Sequence, residues 1–411
     1  MSENKQIHKM TLSDMRDFLA NYDGPEVNIM EVCGSHTAAI SKNGIRGMLS
    51  EKIHLISGPG CPVCVTPTAY VDKLIELALA SNTCVVTFGD MLRVPGSQYS
   101  LSEVQGMGGR AIMVYSPMDI FALAEKEPET TFVFAALGFE TTTPVYALLL
   151  EEVIERNIEN VKLLTALKTM PGVIEYLCEN GASIQGYLAP GHVAAVTGSN
   201  LFKPLAEKYQ IPFAVSGFEG EEILEALCGI VQAYEESQKE DADIEELQKG
   251  GIFSISESSE EKKECIKDAE MLLSESDVAS KVSLGECSNI KTAGVVMNFY
   301  PSVVSAEGNI KAQQLVEKYF QKTDAAWRGM GIVAGTGMEL RPEYEKYDAG
   351  SKALVEDNKR NKACCCDQIL MGKMQPQQCP LFGKVCKPLT PQGACMVSEE
   401  GSCHSAFGAF S

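Results

Sequence analysis

Two thiols with the spacing of a redox pair lie in the loop Ser57-Gly-Pro-Gly-Cys61-Pro-Val-Cys64. The apolar run at residues 53–56 predicts a buried strand before the loop, and residues 67–80 predict a helix after it. Glycine and proline fix a tight strand-to-helix turn, which places both sulfurs near the positive end of a helix dipole. That position is expected to lower a thiol pKa and favours thiol–disulfide chemistry, although Cys-x-x-Cys is also half of a zinc site.

A third thiol, Cys33, occupies a comparable turn after a strand predicted at residues 27–32. His36 follows it by three residues, a spacing that places both side chains on one face of a helix. The imidazole could therefore tune the thiolate or cap the turn. Glu140 and His192 also follow predicted strands, where such side chains either act on a ligand or cap a helix.

Cysteine residues are concentrated in the C-terminal part of the chain. Seven of the fifteen cysteines lie after residue 363, at Cys364, Cys365, Cys366, Cys379, Cys386, Cys395 and Cys403. The interspersed prolines and glycines indicate loops wrapped around a metal centre. Zinc and an iron–sulfur cluster both remain open, but the long gaps between most of these thiols favour the cluster. A surplus pair beside a cluster could form a disulfide that passes electrons toward Cys61 and Cys64.

Composition narrows the class of protein. The chain has 411 residues and a net charge of −20, which argues against nucleic-acid or anionic-membrane binding. The polar N-terminus predicts no secretory signal, and the longest apolar runs are too short to span a bilayer. We therefore expect a cytoplasmic protein, in which fifteen cysteines indicate metal binding or thiol redox chemistry rather than a disulfide framework.

Short apolar strands alternate with helices along most of the chain. This pattern predicts an α/β protein with two similar doubly wound parallel-sheet domains. We expect one domain at residues 1–128 with an N-terminal helix, Cys33 and the Cys61/Cys64 loop, and a second at 129–238. A polar helical segment or insertion at 239–293 and a cysteine-rich region at 294–411 follow. Since the carboxyl ends of parallel strands meet at one edge, the candidate side chains should converge there, with Asp90 among them.

Several motifs recur together in one known family. They are Cys33-Gly-Ser-His-Thr37, Gly58-Pro-Gly-Cys-Pro-Val-Cys64, Gly138-Phe-Glu-Thr-Thr142, Pro190-Gly-His-Val193, Trp327-Arg-Gly-Met-Gly331 and Cys379-Pro-Leu-Phe-Gly-Lys-Val-Cys386, with Gly393-Ala-Cys-Met-Val-Ser398 and Glu400-Gly401. With these motifs the chain resembles the HypD family, the hydrogenase formation proteins of [NiFe]-hydrogenase maturation. The resemblance runs from about residue 30 to the end.

The resemblance implies two similar α/β domains and a C-terminal region holding a [4Fe-4S] cluster. It implies a scaffold shared with the chaperone HypC, on which an iron ion receives two cyanides, supplied through HypE, and one carbon monoxide. By motif, Cys33 would bind this iron, and Cys61 and Cys64 would be a redox pair. His36, Glu140 and His192 would assist.

The resemblance further implies Cys364, Cys379, Cys386 and Cys403 as cluster ligands, which leaves Cys366 and Cys395 as a second disulfide pair. The motif alone does not say which four bind. The extra thiol of Cys365 departs from the family pattern Cys-x-Cys-Gly and could replace a ligand. The polar segment is also longer than in the family.

Two other functions remain open from the sequence. An iron–sulfur thiol–disulfide reductase of broader substrate range would use the same pair and the same terminal block. A zinc-stabilised binding module would use the terminal thiols without electron transfer.

Overall fold

The computed structural model of the chain describes residues 10–181, 183–249 and 294–408. Its strands are β1 (Val27–Glu31), β2 (Ile53–Ser57), β3 (Thr83–Thr87), β4 (Ala111–Met113), β5 (Thr131–Gly138), β6 (Val161–Lys168), β7 (Gly186–Pro190), β8 (Phe213–Ser216), β9 (Val296–Asn298), β10 (Phe320–Trp327) and β11 (Gly331–Leu340). Its helices are α1 (Leu12–Ala20), α2 (Gly34–Lys42), α3 (Pro62–Val65), α4 (Thr68–Leu79), α5 (Gly89–Arg93), α6 (Leu101–Gln105), α7 (Ile120–Lys126), α8 (Thr143–Glu155), α9 (Met170–Asn180), α10 (Gly191–Thr197), α11 (Lys203–Tyr209), α12 (Gly220–Lys249), α13 (Ile310–Tyr319), α14 (Cys366–Leu370) and α15 (Ser402–Gly408).

The strands form two sheets, which confirms the predicted α/β class. The first sheet has the order β2-β1-β7-β8-β9 and is parallel throughout. The second has the order β10-β11-β6-β5-β3-β4, with β6, β5, β3 and β4 parallel. The inner strands are apolar and buried along nearly their whole length, as parallel strands covered on both faces must be.

The sheets do not follow the predicted division at residues 128 and 129. The chain leaves the first sheet after β2, builds β3 to β6 of the second, and returns to the first at β7. Each sheet therefore takes strands from both sides of that boundary, and the sequential assignment of strands to domains is corrected. Alternation of strand and helix predicts parallel pairing. It does not predict which of two sheets a strand joins, because the apolar strands of both sheets have similar sequences.

A β-hairpin at the edge of the second sheet was absent from the sequence prediction. Strands β10 and β11 pair antiparallel, and β11 also pairs antiparallel with β6. β10 mixes charged and small residues, and β11 contains three glycines, so both strands lack the apolar run that marked the other strands. A hydrogen bond between the two strands stabilises the hairpin: the buried indole Nε1 of Trp327 donates to Thr336 Oγ1 at 2.8 Å.

Helix α12 continues past residue 238, the predicted end of the second domain, to Lys249 in the predicted polar segment. Residues 250–293 of that segment lie outside the described residues. Among the helices that the structure describes, none is long and apolar enough to cross a membrane.

The cysteine-rich end of the chain packs into the core beside the N-terminal thiols. One cluster of buried side chains contains Cys61 and Cys64 together with Cys364, Cys395 and Trp327. The fold thus places the two groups of thiols, which are far apart in sequence, in the same interior.

Candidate functional site

The carboxyl ends of β1 and β7 flank the point where the order of the first sheet reverses. From β1 the chain moves outward to β2, whereas β7 leads to β8 on the other side. In open parallel sheets ligands gather in the crevice at such a point. Cys33 follows β1 and His192 follows β7, so both lie at this crevice.

Cys33 caps the N-terminus of α2 and touches the loop that carries the other two thiols. The amide of Gly34 donates to the carbonyl of Gly60 at 3.1 Å. Gly60 has no room for a side chain, because a Cβ there would lie 2.3 Å from the backbone nitrogen of Cys33. The turns after β1 and β2 are therefore in direct backbone contact, and the backbone of Cys33 lies against the residue that precedes Cys61.

The Cys33 thiol is protonated at neutral pH. Burial raises its pKa to about 12, and the carboxylates of Glu400 and Glu31 also raise it, against donation from the His36 and Ser35 amides. At this helix start the loss of water therefore outweighs the helix dipole. A cation bound at this sulfur would instead be favoured by both carboxylates.

Two acidic residues of this site were not identified as site residues from the sequence. The Glu31 carboxylate accepts from the Cys33 amide at 3.3 Å and from Thr37 Oγ1 at 2.6 Å, and burial raises its pKa to about 7. Glu400 reaches the site from the far end of the chain and accepts from Ser35 Oγ at 2.8 Å. An acid closing the apolar strand β1 was a usable signal for Glu31, and the recurring Glu400-Gly401 motif was a usable signal for Glu400.

The two predicted histidines lie on the same aromatic ring. Phe218 has its ring centroid 4.7 Å from that of His36 and 4.0 Å from that of His192. His36 Nε2 donates to the carbonyl of Gly217 at 2.8 Å, which leaves Nδ1 buried without a partner. Burial lowers the pKa of His36 to about 4, so its ring is neutral. Nδ1 thus carries an unpartnered lone pair on the residue three positions after Cys33.

Cys61 and Cys64 form a buried pair of thiols. Cys61 caps α3, Pro62 opens it, and the two sulfurs lie 2.6 Å apart. A Cys-x-x-Cys helix start holds its sulfurs within reach of a disulfide after a small shift. Burial raises the pKa of Cys64 well above its usual range, so the expectation of a lowered thiol pKa in this loop is wrong for Cys64.

Cys395 joins this pair to the C-terminal thiols. Its sulfur is fully buried and interacts with the thiols of Cys64, Cys366 and Cys403. Donation from these three neighbours lowers the pKa of Cys395 well below its usual value. The result is a continuous run of sulfur from Cys61 to the terminal block.

Five thiols of the terminal block line one small cavity. They are Cys364, Cys366, Cys379, Cys386 and Cys403, and the other lining side chains are apolar: Ile369, Leu381, Phe382 and Met396. Gly393 closes the cavity, and a Cβ there would lie 2.6 Å from the sulfurs of both Cys364 and Cys366. A dry, all-thiol lining with a glycine against the sulfurs fits an iron–sulfur cluster.

The same thiols are packed tightly together. The cavity volume is about 10 Å³, and the sulfurs of Cys364 and Cys366 are 3.3 Å apart. Loading a cluster would part these sulfurs. In the described ranges no three Cys, His, Asp or Glu side chains are arranged to hold a single metal ion. Cys365 lies at the rim of the block, is only partly buried and interacts with Cys379.

Glu140 and Asp90 occupy other positions. Burial raises the pKa of Glu140 to about 7; its Oε1 accepts from the Met170 amide at 2.8 Å, and its Oε2 is buried without a partner. Within the described part of the chain no hydrogen bond links it to Cys33 or the histidines. Asp90 lies 3.5 Å from Arg93, which donates to the Val397 carbonyl and so ties α5 to the C-terminal region.

Comparison with known proteins gives one consistent family. The HypD family model, described as the hydrogenase formation hypA family, matches residues 7–247 and 279–409. The chain is 36% identical over 380 residues to a putative hydrogenase expression/formation protein of Methanocaldococcus jannaschii, covering 92% of this chain and 90% of that protein. It is 35% identical over 387 residues to the hydrogenase maturation factor HypD of Escherichia coli, covering 92% and 87%. It is 34% identical over 396 residues to the HypD of Rhizobium leguminosarum, covering 93% and 89%.

Proposed function

This chain belongs to the HypD family and acts in hydrogenase maturation, and within that process we propose that it is the redox scaffold on which the iron group is assembled. The iron ion, which is the cargo, binds at Cys33 together with the chaperone HypC. It receives two cyanides by way of HypE and one carbon monoxide, and Cys61 and Cys64 exchange electrons beside it.

The observation that carries this proposal is the contact between the Cys33 turn and the Cys61 loop. An iron held by Cys33 is next to a pair of thiols that can give or take two electrons. Low-spin iron with cyanide and carbon monoxide ligands suits soft thiolate donors. Cys33 also lies where the strand order of the first sheet reverses, which is the position at which ligands of open parallel sheets bind.

The residues around Cys33 favour a bound cation over a bare thiolate. Iron binding displaces the thiol proton, since a cysteine ligand is deprotonated. Glu31 and Glu400 lie close enough to raise the Cys33 pKa, and the same negative charges stabilise an iron cation there. The neutral ring of His36, with Nδ1 unpartnered, offers a further donor without adding positive charge.

The terminal block supports the redox part of the proposal. Cys364, Cys379, Cys386 and Cys403 would hold a [4Fe-4S] cluster, and Cys366 and Cys395 would be the second disulfide pair. When bound, a cluster there supplies electrons one at a time. Reducing the Cys61–Cys64 disulfide consumes two electrons and two protons, and Cys395 lies between that pair and the cavity.

Anaerobic metal analysis of the complex with HypC tests the proposal. In C33S we expect loss of the iron that is bound in addition to the cluster, with the visible absorption of the cluster intact. C178S is a matched control, because Cys178 is partly buried and its recorded contact is with Tyr187, away from the crevice. Full retention of the additional iron in C33S would refute the role of Cys33.

The same preparation separates the two alternatives. A broad thiol–disulfide reductase would reduce unrelated protein disulfides efficiently without HypC. A zinc-stabilised module would be colourless and would contain zinc without iron or sulfide.

A further inference from the structure

The segment that contains Cys379 and Cys386 is positively charged, whereas the chain as a whole is acidic. Residues 371–390 contain three lysines, Lys373, Lys384 and Lys387, and no acidic residue, although the net charge of the whole chain is −20. All three lysines are exposed. None of them has a carboxylate partner among the residues that the structure describes, in contrast to Lys359, which pairs with Asp367 at 2.7 Å.

Large apolar side chains lie beside two of these lysines. Leu389 is 94% exposed and Val385 is 55% exposed, and they alternate with Lys384 and Lys387 along the loop at residues 380–390, which we call the basic loop. Exposed apolar groups surrounded by lysine are characteristic of a protein interface, with apolar anchors inside a charged rim.

The basic loop is held in shape by its own hydrogen bonds. The Cys386 amide donates to the Leu381 carbonyl at 3.0 Å, the Gly383 amide donates to the Cys386 carbonyl at 3.1 Å, and Thr390 Oγ1 donates to the Val385 carbonyl at 3.0 Å. Gly383 has a φ of 68°, which favours glycine at this turn. The exposed side chains are therefore presented on an ordered loop, which lowers the entropy cost of binding.

The opposite side of this loop faces the cavity. Cys379 and Cys386 flank the turn, are buried and line the cavity with the other terminal thiols. A molecule seated on Val385 is separated from a cavity-lining thiol by one peptide unit, since Cys386 is the next residue. The positively charged surface thus lies one residue along the chain from a thiol that lines the cavity.

From this coincidence we propose that the basic loop is the docking surface for a small acidic electron-transfer protein. The inference rests on the proposed redox function. When bound, the cluster would take up the one electron that the reduced donor loses. Two such encounters, with two protons from solvent, would convert the Cys61–Cys64 disulfide to a dithiol. The match of lysines to an acidic face supplies steering, and Leu389 and Val385 supply the small apolar contact typical of transient redox complexes.

The test uses the full-length protein with its cluster, purified anaerobically, and a reduced plant-type [2Fe-2S] ferredoxin as the acidic probe. Stopped-flow absorbance measures the second-order rate constant for reduction of the cluster. We expect K384E/K387E to lower it about tenfold and to flatten its dependence on salt. L389S should lower it several-fold, since one apolar anchor is removed.

Two controls isolate the surface. K203E/K311E makes the same change in charge at exposed lysines in the first turns of α11 and α13, and it should react like the wild type. Dithionite, a small reductant that needs no docking surface, should reduce all variants equally. Calorimetric titration with oxidised ferredoxin gives a readout without electron transfer, and its dissociation constant should rise about tenfold in K384E/K387E.

The possible outcomes separate this inference from the proposed function. Equal rates and affinities for K384E/K387E and K203E/K311E, with normal reduction by dithionite, overturn the docking surface alone. A protein with no cluster that dithionite can bleach overturns both. Binding of the basic loop to vesicles of phosphatidylcholine and phosphatidylserine, without any response to ferredoxin, overturns the inference in favour of a membrane contact.

Discussion

Replacing Gly60 with alanine tests whether the Cys33 turn and the Cys61 loop must touch. A Cβ at Gly60 would lie 2.3 Å from the Cys33 nitrogen, 2.5 Å from the Cys33 Cα and 2.6 Å from the Val32 carbonyl carbon. All three are backbone atoms, so no side chain can rotate away. The two turns would have to separate by about 1 Å to restore ordinary contact, and overpacking of this kind costs about 1–3 kcal/mol.

The assay compares G60A with G47A. A Cβ at Gly47 meets nothing within 4 Å, so G47A makes the same chemical change without a clash. Denaturant unfolding of the anaerobic proteins should show G60A less stable by about 1–3 kcal/mol and G47A within about 0.5 kcal/mol of the wild type. Because the terminal thiols do not touch Gly60, G60A should keep the cluster absorption while losing iron held at Cys33.

The refuting result is specific. A G60A protein that matches G47A in stability and retains the Cys33-bound iron would show that the close backbone contact is not required. Loss of both the iron and the cluster absorption would also contradict the reasoning, because it would place Gly60 in the support of the terminal block.

Three further predictions concern Gly393, Lys168 and Cys395. Alanine at Gly393 meets two sulfurs at 2.6 Å, so G393A should lower the iron and sulfide content, whereas G47A should not; unchanged content would contradict the cavity as the cluster site. Burial, with help from Arg328, lowers the pKa of Lys168 from 10.5 to about 7. Between pH 7 and 10 the unfolded chain therefore binds a proton that the folded chain lacks, so wild-type stability rises with pH by at most about 4 kcal/mol. K168M should be the more stable protein at pH 7, and its advantage should shrink toward pH 10 in denaturant unfolding; a constant difference would contradict the burial of this amine. C395S should keep the cluster but slow the reduction of the Cys61–Cys64 disulfide after dithionite treatment, measured by thiol alkylation, and wild-type rates would remove Cys395 from the electron path.

Much of the candidate site could be predicted from short stretches of sequence. Cys33 and the Cys61 loop were placed correctly at strand ends, because apolar runs bounded by glycine and proline define a strand and its exit turn without knowledge of the rest of the fold. His192 was placed at a strand end by the same reasoning. These features could be predicted because each depends only on a few residues that are adjacent in sequence.

The parts that sequence could not supply depend on long-range packing. The return of the chain to the first sheet at β7 is decided by which strand β1 accepts as a neighbour. Glu400 reaches Ser35 across 365 residues, and Cys395 meets Cys64 only because the terminal loops fold back into the core. The pKa of the Cys64 thiol was misjudged for the same reason, since its burial is a property of the finished fold.

The interleaved path of the chain has a consequence for synthesis. Cys33 leaves the ribosome early, but its neighbour His192 arrives only after the whole parallel part of the second sheet has been made. Glu400, which completes the negative surroundings of the thiol, is translated 365 residues after Ser35. A nascent chain therefore exposes the cysteine before the rest of the site exists, so iron cannot be held there in its final surroundings until Glu400 has been made.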